Sequence, residues 1–228
     1  MKKIVLIGGG EIGRGNTSYE TKEIDEEIVK LSNKDNPTLL FIGLASSYSD
    51  SYYDTIKKIY KNLGCETVYL KKKNIINNPD IVINKINNSD IIYIGGGDSI
   101  KLIEDIKEYN IDKLLENALN KGTILVGYSA GAILLSNLGF SDSYILRNES
   151  NEYKFIQGLN YTNINICPHY DTSIDKQNSL EKEIIKRKIE VYALENNTAL
   201  KIIDNNISKI NTNKKIYIIN YKTKKELK

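Results

Sequence analysis

The segment from residue 123 to residue 135 constrains the fold of this chain more than any other. An apolar, β-branched run leads directly into Gly127-Tyr-Ser129-Ala-Gly131, and an apolar helical pattern follows. This order predicts a strand, a sharp turn and a helix, the elbow that raises a serine hydroxyl above the end of a sheet. The two glycines keep Cβ atoms out of the crowded turn. Ser129 is therefore the candidate nucleophile.

Apolar runs of strand length alternate with amphipathic patterns along most of the chain. Strands are predicted at 3–7, 38–42, 67–70, 91–94, 123–126 and 164–167. Helices are predicted at 21–31, 52–63, 81–86, 100–106, 111–119, 130–138 and 179–195. The alternation predicts a doubly wound α/β fold, with a mostly parallel sheet and helices on both faces. Short antiparallel strands are predicted at 199–203, 207–210 and 215–219 near the carboxyl end.

Composition and charge restrict the class of protein. The 228 residues are 40% hydrophobic and 27% charged, and no linker divides them, so we expect one domain over residues 1–228. A net charge of +3 without a basic stripe argues against a nucleic-acid partner. No run approaches the roughly 18 apolar residues of a membrane span. The two cysteines have neither metal-ligand nor disulfide spacing, so we expect a reducing, cytoplasmic location.

His169 is the only histidine of the chain and follows the predicted strand at 164–167 and a proline. A parallel strand delivers the residues after its carboxyl end to the crevice where ligands bind in such folds. If Ser129 is activated by an imidazole base, His169 is the single candidate for that base.

A histidine base needs an acceptor for its other ring nitrogen. Between Ser129 and His169 the acidic residues are Asp142, Glu149 and Glu152. Asp142 directly follows the helix of the elbow, and its loop could return over the site. We therefore favour Asp142 as the third catalytic residue, with the two glutamates as alternatives and a solvated loop carboxylate as the purely structural interpretation.

A second glycine cluster ends the fourth predicted strand and opens a helix. An oxyanion needs preorganised donors about 3 Å away, and the amides of Gly97 and Ala130 are the natural candidates. Gly96 is a weaker candidate for a donor and is placed with Asp98 and Ser99 among the predicted substrate-binding residues. The structural alternative is that Asp98 or Ser99 only caps the helix.

The first glycine cluster, Gly8-Gly-Gly10-Glu-Ile-Gly13, matches the G-x-G-x-x-G dinucleotide fingerprint. The residues after it, 14–20, are polar and loop-like where the fingerprint requires a helix. No second strand ends in an acidic residue at the required distance. We therefore interpret the cluster as a glycine-rich turn near the crevice and expect no cofactor.

These motifs, in this order, resemble the peptidase E family of serine peptidases, the aspartyl dipeptidases, which share their fold with class I glutamine amidotransferases. The matching pieces are Gly8-Gly-Gly-Glu-Ile-Gly13, Leu44-Ala-Ser-Ser47, Gly95-Gly-Gly97, Gly127-Tyr-Ser129-Ala-Gly131-Ala and Cys167-Pro-His169-Tyr. The resemblance spans residues 1 to about 203. It implies a nucleophile at Ser129, a base at His169, an oxyanion hole at Gly97 and Ala130, and no metal or organic cofactor.

The resemblance also implies cleavage of dipeptides or short peptides with aspartate at the amino end. Proven dipeptidases of this family bind the aspartyl carboxylate through an arginine in the region after the histidine. Residues 171–183 of this chain contain no arginine. Lys182 or Lys176 would have to take its place, and lysine lacks the bidentate fork of arginine.

Two rival interpretations come from other classes of protein. An α/β-hydrolase esterase usually has its histidine far beyond the elbow, whereas only 40 residues separate Ser129 from His169. A non-catalytic protein on the same scaffold would bind a small molecule or peptide and would lack a productive triad. The expected partner is a small peptide, and the carboxy-terminal hairpin is left free for a second copy in a homodimer.

Overall fold

The computed structural model describes residues 1–210 and 212–228. The strands are β1 (Lys3–Ile7), β2 (Thr38–Ile42), β3 (Glu66–Leu70), β4 (Ile91–Ile94), β5 (Ile124–Tyr128), β6 (Leu138–Ser141), β7 (Lys154–Gln157), β8 (Asn165–Cys167), β9 (Val191–Leu194), β10 (Ala199–Ile203), β11 (Asn206–Lys209), β12 (Ile216–Ile219) and β13 (Lys224–Glu226). The helices are α1 (Lys22–Leu31), α2 (Ser49–Asn62), α3 (Lys72–Asn77), α4 (Pro79–Asn87), α5 (Ser99–Glu108), α6 (Ile111–Asn120), α7 (Ala130–Leu135), α8 (Ser143–Leu146) and α9 (Ile174–Arg187).

The first sheet has the strand order β11-β10-β1-β5-β4-β2-β3. Strands β1 to β5 are parallel to one another, and β10 and β11 pair antiparallel at one edge. Ile4 and Leu6 of β1 pack into the core that contains α4 to α7, whereas Val5 and Ile7 pack into the core that contains α1 and α2. Both faces of the sheet are therefore covered, which explains the continuous apolar runs. The predicted doubly wound α/β fold is confirmed.

A second sheet has the order β13-β12-β9-β8-β6-β7. It is mixed: β8 pairs parallel with β6 and β9, while β7, β12 and β13 pair antiparallel. The strand predicted at 164–167 is β8, and it belongs to this sheet instead of the first one. Its neighbours come from distant parts of the chain, which strand patterns alone do not indicate.

Two predicted helices extend too far. The helix predicted at 179–195 is α9, which ends at Arg187; Lys188 takes a left-handed conformation with φ +54°, and Val191–Leu194 form β9. The helix predicted at 130–138 ends at Leu135, and Leu138 begins β6. In both cases apolar residues that fit a helical pattern instead pair with strands of the second sheet.

The two sheets are joined where β1 ends. The amide of His169, just after β8, donates to the carbonyl of Gly8 at 2.8 Å. The amide of Asn197, between β9 and β10, donates to the carbonyl of Gly9 at 2.9 Å. These bonds bring loops of the second sheet to the carboxyl ends of the first. Among the described residues, no helix is long and apolar enough to cross a membrane.

Candidate active site

Ser129 lies at the junction of β5 and α7 in a conformation that few residues adopt. Its φ is +52° and its ψ is −105°, as in the strained turn of a nucleophile elbow. A Cβ at Gly127 would lie 2.4 Å from the carbonyl oxygen of Gly131, and one at Gly131 would lie 2.2 Å from that of Ile94. The two glycines are therefore required because backbone atoms occupy the space of any side chain.

His169 lies beside this serine. Its Nε2 is 2.9 Å from Ser129 Oγ, although the two residues belong to different sheets. Burial lowers the pKa of His169 below its ordinary value, and the nearby charge of Lys176 lowers it further. The imidazole is therefore held in its neutral form near pH 7, the form that can accept a proton.

The other ring nitrogen of His169 contacts Asn196, which sequence reasoning missed. Nδ1 lies 2.6 Å from Asn196 Oδ1. The backbone amide of Asn196 donates to Asp171 Oδ1 at 2.8 Å. This hydrogen bond fixes the backbone at Asn196. The available signal was the polar pair Glu195-Asn196 after the apolar run 191–194. We predicted a helix through residue 195, and this hid the strand that ends at Leu194.

The structure does not place Asp142 in the position predicted for it. Asp142 lines the same cavity as Ser129 and His169, yet among the described residues no hydrogen bond joins its carboxylate to the imidazole. Glu149 approaches Arg147 at 3.9 Å, and neither it nor Glu152 lines the cavity. The short strand β6 ends just before Asp142, and α8 follows it, so this loop does not reach Nδ1.

Gly97 lines the same cavity as Ser129 and has a conformation that favours glycine. Its φ is +139°, and a Cβ there would lie 2.1 Å from the carbonyl oxygen of Ala45. Within the part of the chain that the structure describes, the amides of Gly97 and Ala130 have no hydrogen-bond acceptor. The amide of Gly96 donates to the Tyr52 hydroxyl at 3.4 Å. Gly97 and Ala130 thus retain donors for a ligand.

Asp98 and Ser99 have structural roles. The Asp98 carboxylate accepts the amides of residues 100 and 101 at the start of α5 and pairs with Arg147 Nε at 2.6 Å. Ser99 is buried, and its hydroxyl lies 3.2 Å from that of Ser141. Neither side chain lines the cavity. The capping interpretation is therefore the one that fits the structure.

The lysines after the histidine also lie outside the cavity. Lys182 is exposed on α9. Lys176 is buried, and its ammonium lies 5.5 Å from the centre of the Tyr153 ring. The position where the resemblance implies a carboxylate-binding side chain therefore supplies no cation to the cavity.

The cavity around Ser129 has a volume of about 410 Å³. Its charged lining residues are Glu11, Arg14, Glu20 and Asp142. Glu11 belongs to the first glycine cluster, and Arg14 and Glu20 belong to the polar segment after it. The glycine-rich turn, which we expected near the crevice, lines the cavity with Gly10 and Glu11. Residues 1–210 and 212–228 contain no group of three or more His, Cys, Asp or Glu that could hold a metal ion.

The fold and the site define a class: an α/β protein with a serine on an elbow turn and a histidine beside it. Comparison with known proteins gives the family. The sequence model of peptidase family S51 matches residues 4–210, so the chain belongs to peptidase family S51. The resemblance to peptidase E is confirmed.

Individual relatives cover nearly the whole chain. The chain is 27% identical over 209 residues to the uncharacterized peptidase YgaJ of Bacillus subtilis strain 168, which covers 91% of this chain and 86% of that protein. It is 26% identical over 241 residues to peptidase E of Nostoc sp., covering 99% and 92%. A crystal structure of a peptidase from an acI-B1 actinobacterium superposes with a TM-score of 0.71 at 18% identity, covering 99% and 93%, which shows a shared fold.

Proposed function

We propose that this protein is a serine peptidase that hydrolyses dipeptides or short peptides through Ser129, His169 and Asn196. The observation that carries the proposal is the pair of contacts made by one imidazole. Nε2 lies 2.9 Å from Ser129 Oγ, and Nδ1 lies 2.6 Å from Asn196 Oδ1. Membership of a peptidase family supports hydrolysis of a peptide bond as the reaction.

The Asn196 contact sets the tautomer of the histidine. An amide oxygen can only accept a hydrogen bond, so Nδ1 of His169 carries the ring proton. The Nε2 lone pair is then available to the Ser129 hydroxyl. Because burial lowers the pKa of His169, the imidazole is neutral and ready to act as a base near pH 7.

The proposed reaction proceeds through an acyl-enzyme. Ser129 Oγ attacks the scissile carbonyl carbon while His169 Nε2 takes its proton. The amides of Gly97 and Ala130 bind the resulting oxyanion. His169 then gives the proton to the leaving amine as the C–N bond breaks. A water molecule, activated by the same imidazole, hydrolyses the ester and restores Ser129.

Asn196 differs from a carboxylate in this role. A neutral amide orients the imidazole but adds no negative charge to stabilise the imidazolium that forms during the reaction. We therefore expect Asn196 to orient the imidazole of His169 as a carboxylate would, but to stabilise the imidazolium less.

The test is hydrolysis of a panel of Xaa-Leu dipeptides by the wild type, Ser129→Ala and Ser208→Ala. Ser208 is an exposed serine on β11 and serves as the matched control. We expect leucine release by the wild type and the Ser208 variant and none by the Ser129 variant. A fluorophosphonate probe should label the wild type at Ser129. Equal leucine release by all three proteins would overturn Ser129 as the nucleophile. No release by the wild type, together with an unlabelled Ser129, would favour the non-catalytic binding protein.

A further inference from the structure

One wall of the cavity that contains the catalytic pair is a small hairpin, residues 11–20. The amide of Glu20 donates to the carbonyl of Glu11 at 2.8 Å, and Ile12 bridges to Tyr19. The amide of Gly13 donates to the carbonyl of Ser18 at 2.9 Å. The hairpin carries three charged residues into the cavity that also contains Ser129.

Arg14 is the one cationic side chain that lines this cavity within the described residues. Its guanidinium lies 4.9 Å from the centre of the Tyr52 ring. In the part of the chain that the structure describes, the Arg14 side chain forms no ion pair or hydrogen bond, whereas the carboxylate of Glu20 accepts the Glu11 amide at 3.0 Å. The N–H donors of the guanidinium are thus available to a ligand.

The aromatic contacts of Arg14 connect it to the reaction centre. The hydroxyl of buried Tyr52 accepts the amide of Gly96, the residue before Gly97. Tyr128, the residue before Ser129, donates its hydroxyl to the carbonyl of Gly10 at the base of the hairpin. The guanidinium therefore lies over a ring whose hydroxyl accepts the amide of the residue before Gly97, the proposed oxyanion donor.

We propose that Arg14 binds a carboxylate of the substrate, an assignment that rests on the proposed peptidase function. A guanidinium presents paired N–H groups that match the two oxygens of a carboxylate, and its contact with the ring restricts its position. A short peptide offers this group in two places: the side chain of an acidic residue on the acyl side and the α-carboxylate of the leaving residue. In both cases the cation comes from the hairpin and not from α9, where Lys182 lies outside the cavity.

The experiment measures kcat/KM of the wild type, Arg14→Gln and Arg187→Gln on Asp-Leu, Asn-Leu and the C-terminal amide Asp-Leu-NH2. Arg187 is a guanidinium on α9 that pairs with Glu183 outside the cavity, so its variant is the matched control. We expect Arg14→Gln to lower kcat/KM on Asp-Leu by about 10-fold or more, as for loss of a charged hydrogen bond, and Arg187→Gln to leave it unchanged.

The substrates identify which carboxylate is bound. Recognition of the acidic side chain predicts that the loss persists with Asp-Leu-NH2 and disappears with Asn-Leu. Recognition of the α-carboxylate predicts the reverse. An equal loss on all three substrates, or no loss on any, overturns the assignment of Arg14.

Binding of Asp-Leu by calorimetry in the Ser129→Ala background separates this proposal from the proposed function. If the wild type hydrolyses nothing but binding still weakens about 10-fold or more with Arg14→Gln, the peptidase proposal fails and the carboxylate site stands. Hydrolysis and binding that are both insensitive to Arg14→Gln overturn the carboxylate site alone. The absence of both hydrolysis and binding overturns the two proposals together.

Discussion

Ser129 and Gly97 follow buried strands of the first sheet and form one wall of the cavity, whereas Arg14 lies on an exposed hairpin that forms a second wall. The first wall is fixed by backbone: a glycine carbonyl holds the amide of His169, and close carbonyls exclude side chains from the turns. The second wall is a hairpin with backbone hydrogen bonds of its own, and the hydroxyl of Tyr19 attaches it to Asp25 of α1. Reacting groups need positions fixed to a fraction of an ångström, while recognition groups are commonly carried by loops. On the proposals above, the first wall carries the chemistry and is called the catalytic wall, and the hairpin wall selects the substrate and is called the recognition wall.

A buried carboxylate anchors the hairpin. Asp25 on α1 accepts hydrogen bonds from Tyr60 at 2.7 Å, Thr21 at 2.8 Å and Tyr19 at 3.0 Å, and Tyr19 belongs to the hairpin. Burial raises the pKa of Asp25 to about 6, although the three hydroxyl donors partly oppose this. The recognition wall therefore depends on a group that titrates under mildly acidic conditions.

The largest effect is expected from Gly97→Ala, which tests the rigidity of the catalytic wall. The new Cβ would meet the Ala45 carbonyl oxygen at 2.1 Å, and φ is unfavourable for alanine. We expect kcat to fall by about 10²- to 10³-fold, as for loss of an oxyanion donor, with a stability loss of about 1–3 kcal/mol. Gly122→Ala is the control, because Gly122 also has a positive φ but has open space around it. Similar kinetics in the two variants would contradict the assignment of Gly97.

Asp25→Asn tests the anchor of the recognition wall through the pH dependence of stability. Because the folded-state pKa is raised from 3.8 to about 6, the folded protein binds this proton more tightly than the unfolded chain. The stability contributed by the protonated group is present below about pH 4 and is lost as the pH rises through about 6. The shift corresponds to about 3 kcal/mol.

Urea unfolding at pH 4, 5, 6 and 7 measures this difference. The wild type should lose about 2 kcal/mol relative to Asp25→Asn across that range, because at pH 4 part of the unfolded chain has already lost this proton. Glu23→Gln, an exposed carboxylate on the same helix, should follow the wild type. Parallel curves for the wild type and Asp25→Asn would show that Asp25 does not titrate in this window.

Asn196→Ala tests how much the orientation of the His169 imidazole contributes to catalysis. Without the acceptor on Nδ1, His169 loses its fixed tautomer, and we expect kcat to fall by about 10²-fold with little change in KM. Steady-state kinetics of Asp142→Asn provides the comparison and should change kcat by less than about 3-fold, since Asp142 lines the cavity without bonding the imidazole. A larger loss in Asp142→Asn than in Asn196→Ala would return the role to Asp142.

The smallest effect is a shift of the pH profile. The neutral imidazole is the active form, and burial lowers the pKa of His169, so kcat/KM should begin to fall only below the ordinary histidine pKa of 6.5. Asn196→Asp places a carboxylate against Nδ1, which raises that pKa and moves the fall to higher pH. In the wild type and in Asn196→Asp alike, the charge of Lys176 lowers the pKa of His169, and the charges of Asp142 and Asp171 raise it. An unchanged profile would show that residue 196 does not contact the base during turnover.

The two sheets also differ in how far they could be predicted. In the first sheet, β1, β2, β4 and β10 have the predicted boundaries, because strands buried on both faces are continuous apolar runs. In the second sheet, β6, β7, β9 and β13 were not predicted. These strands have three or four residues each and depend on partners from distant segments. Asn196 was missed for this reason, since it follows β9.

Sequence alone determined the turn at Ser129 and the glycine at position 97. Ser129 and Gly97 both have a positive φ, a local backbone conformation that limits which side chains fit. The Ala45 carbonyl that excludes a Cβ at position 97 comes from a distant segment, so the structure adds that constraint. Tertiary structure alone decided that Asn196, 27 residues after His169, contacts Nδ1, and that Arg14 enters the cavity. Those contacts depend on how the second sheet and the hairpin pack against the ends of the first, and packing between distant segments leaves no local pattern in the sequence.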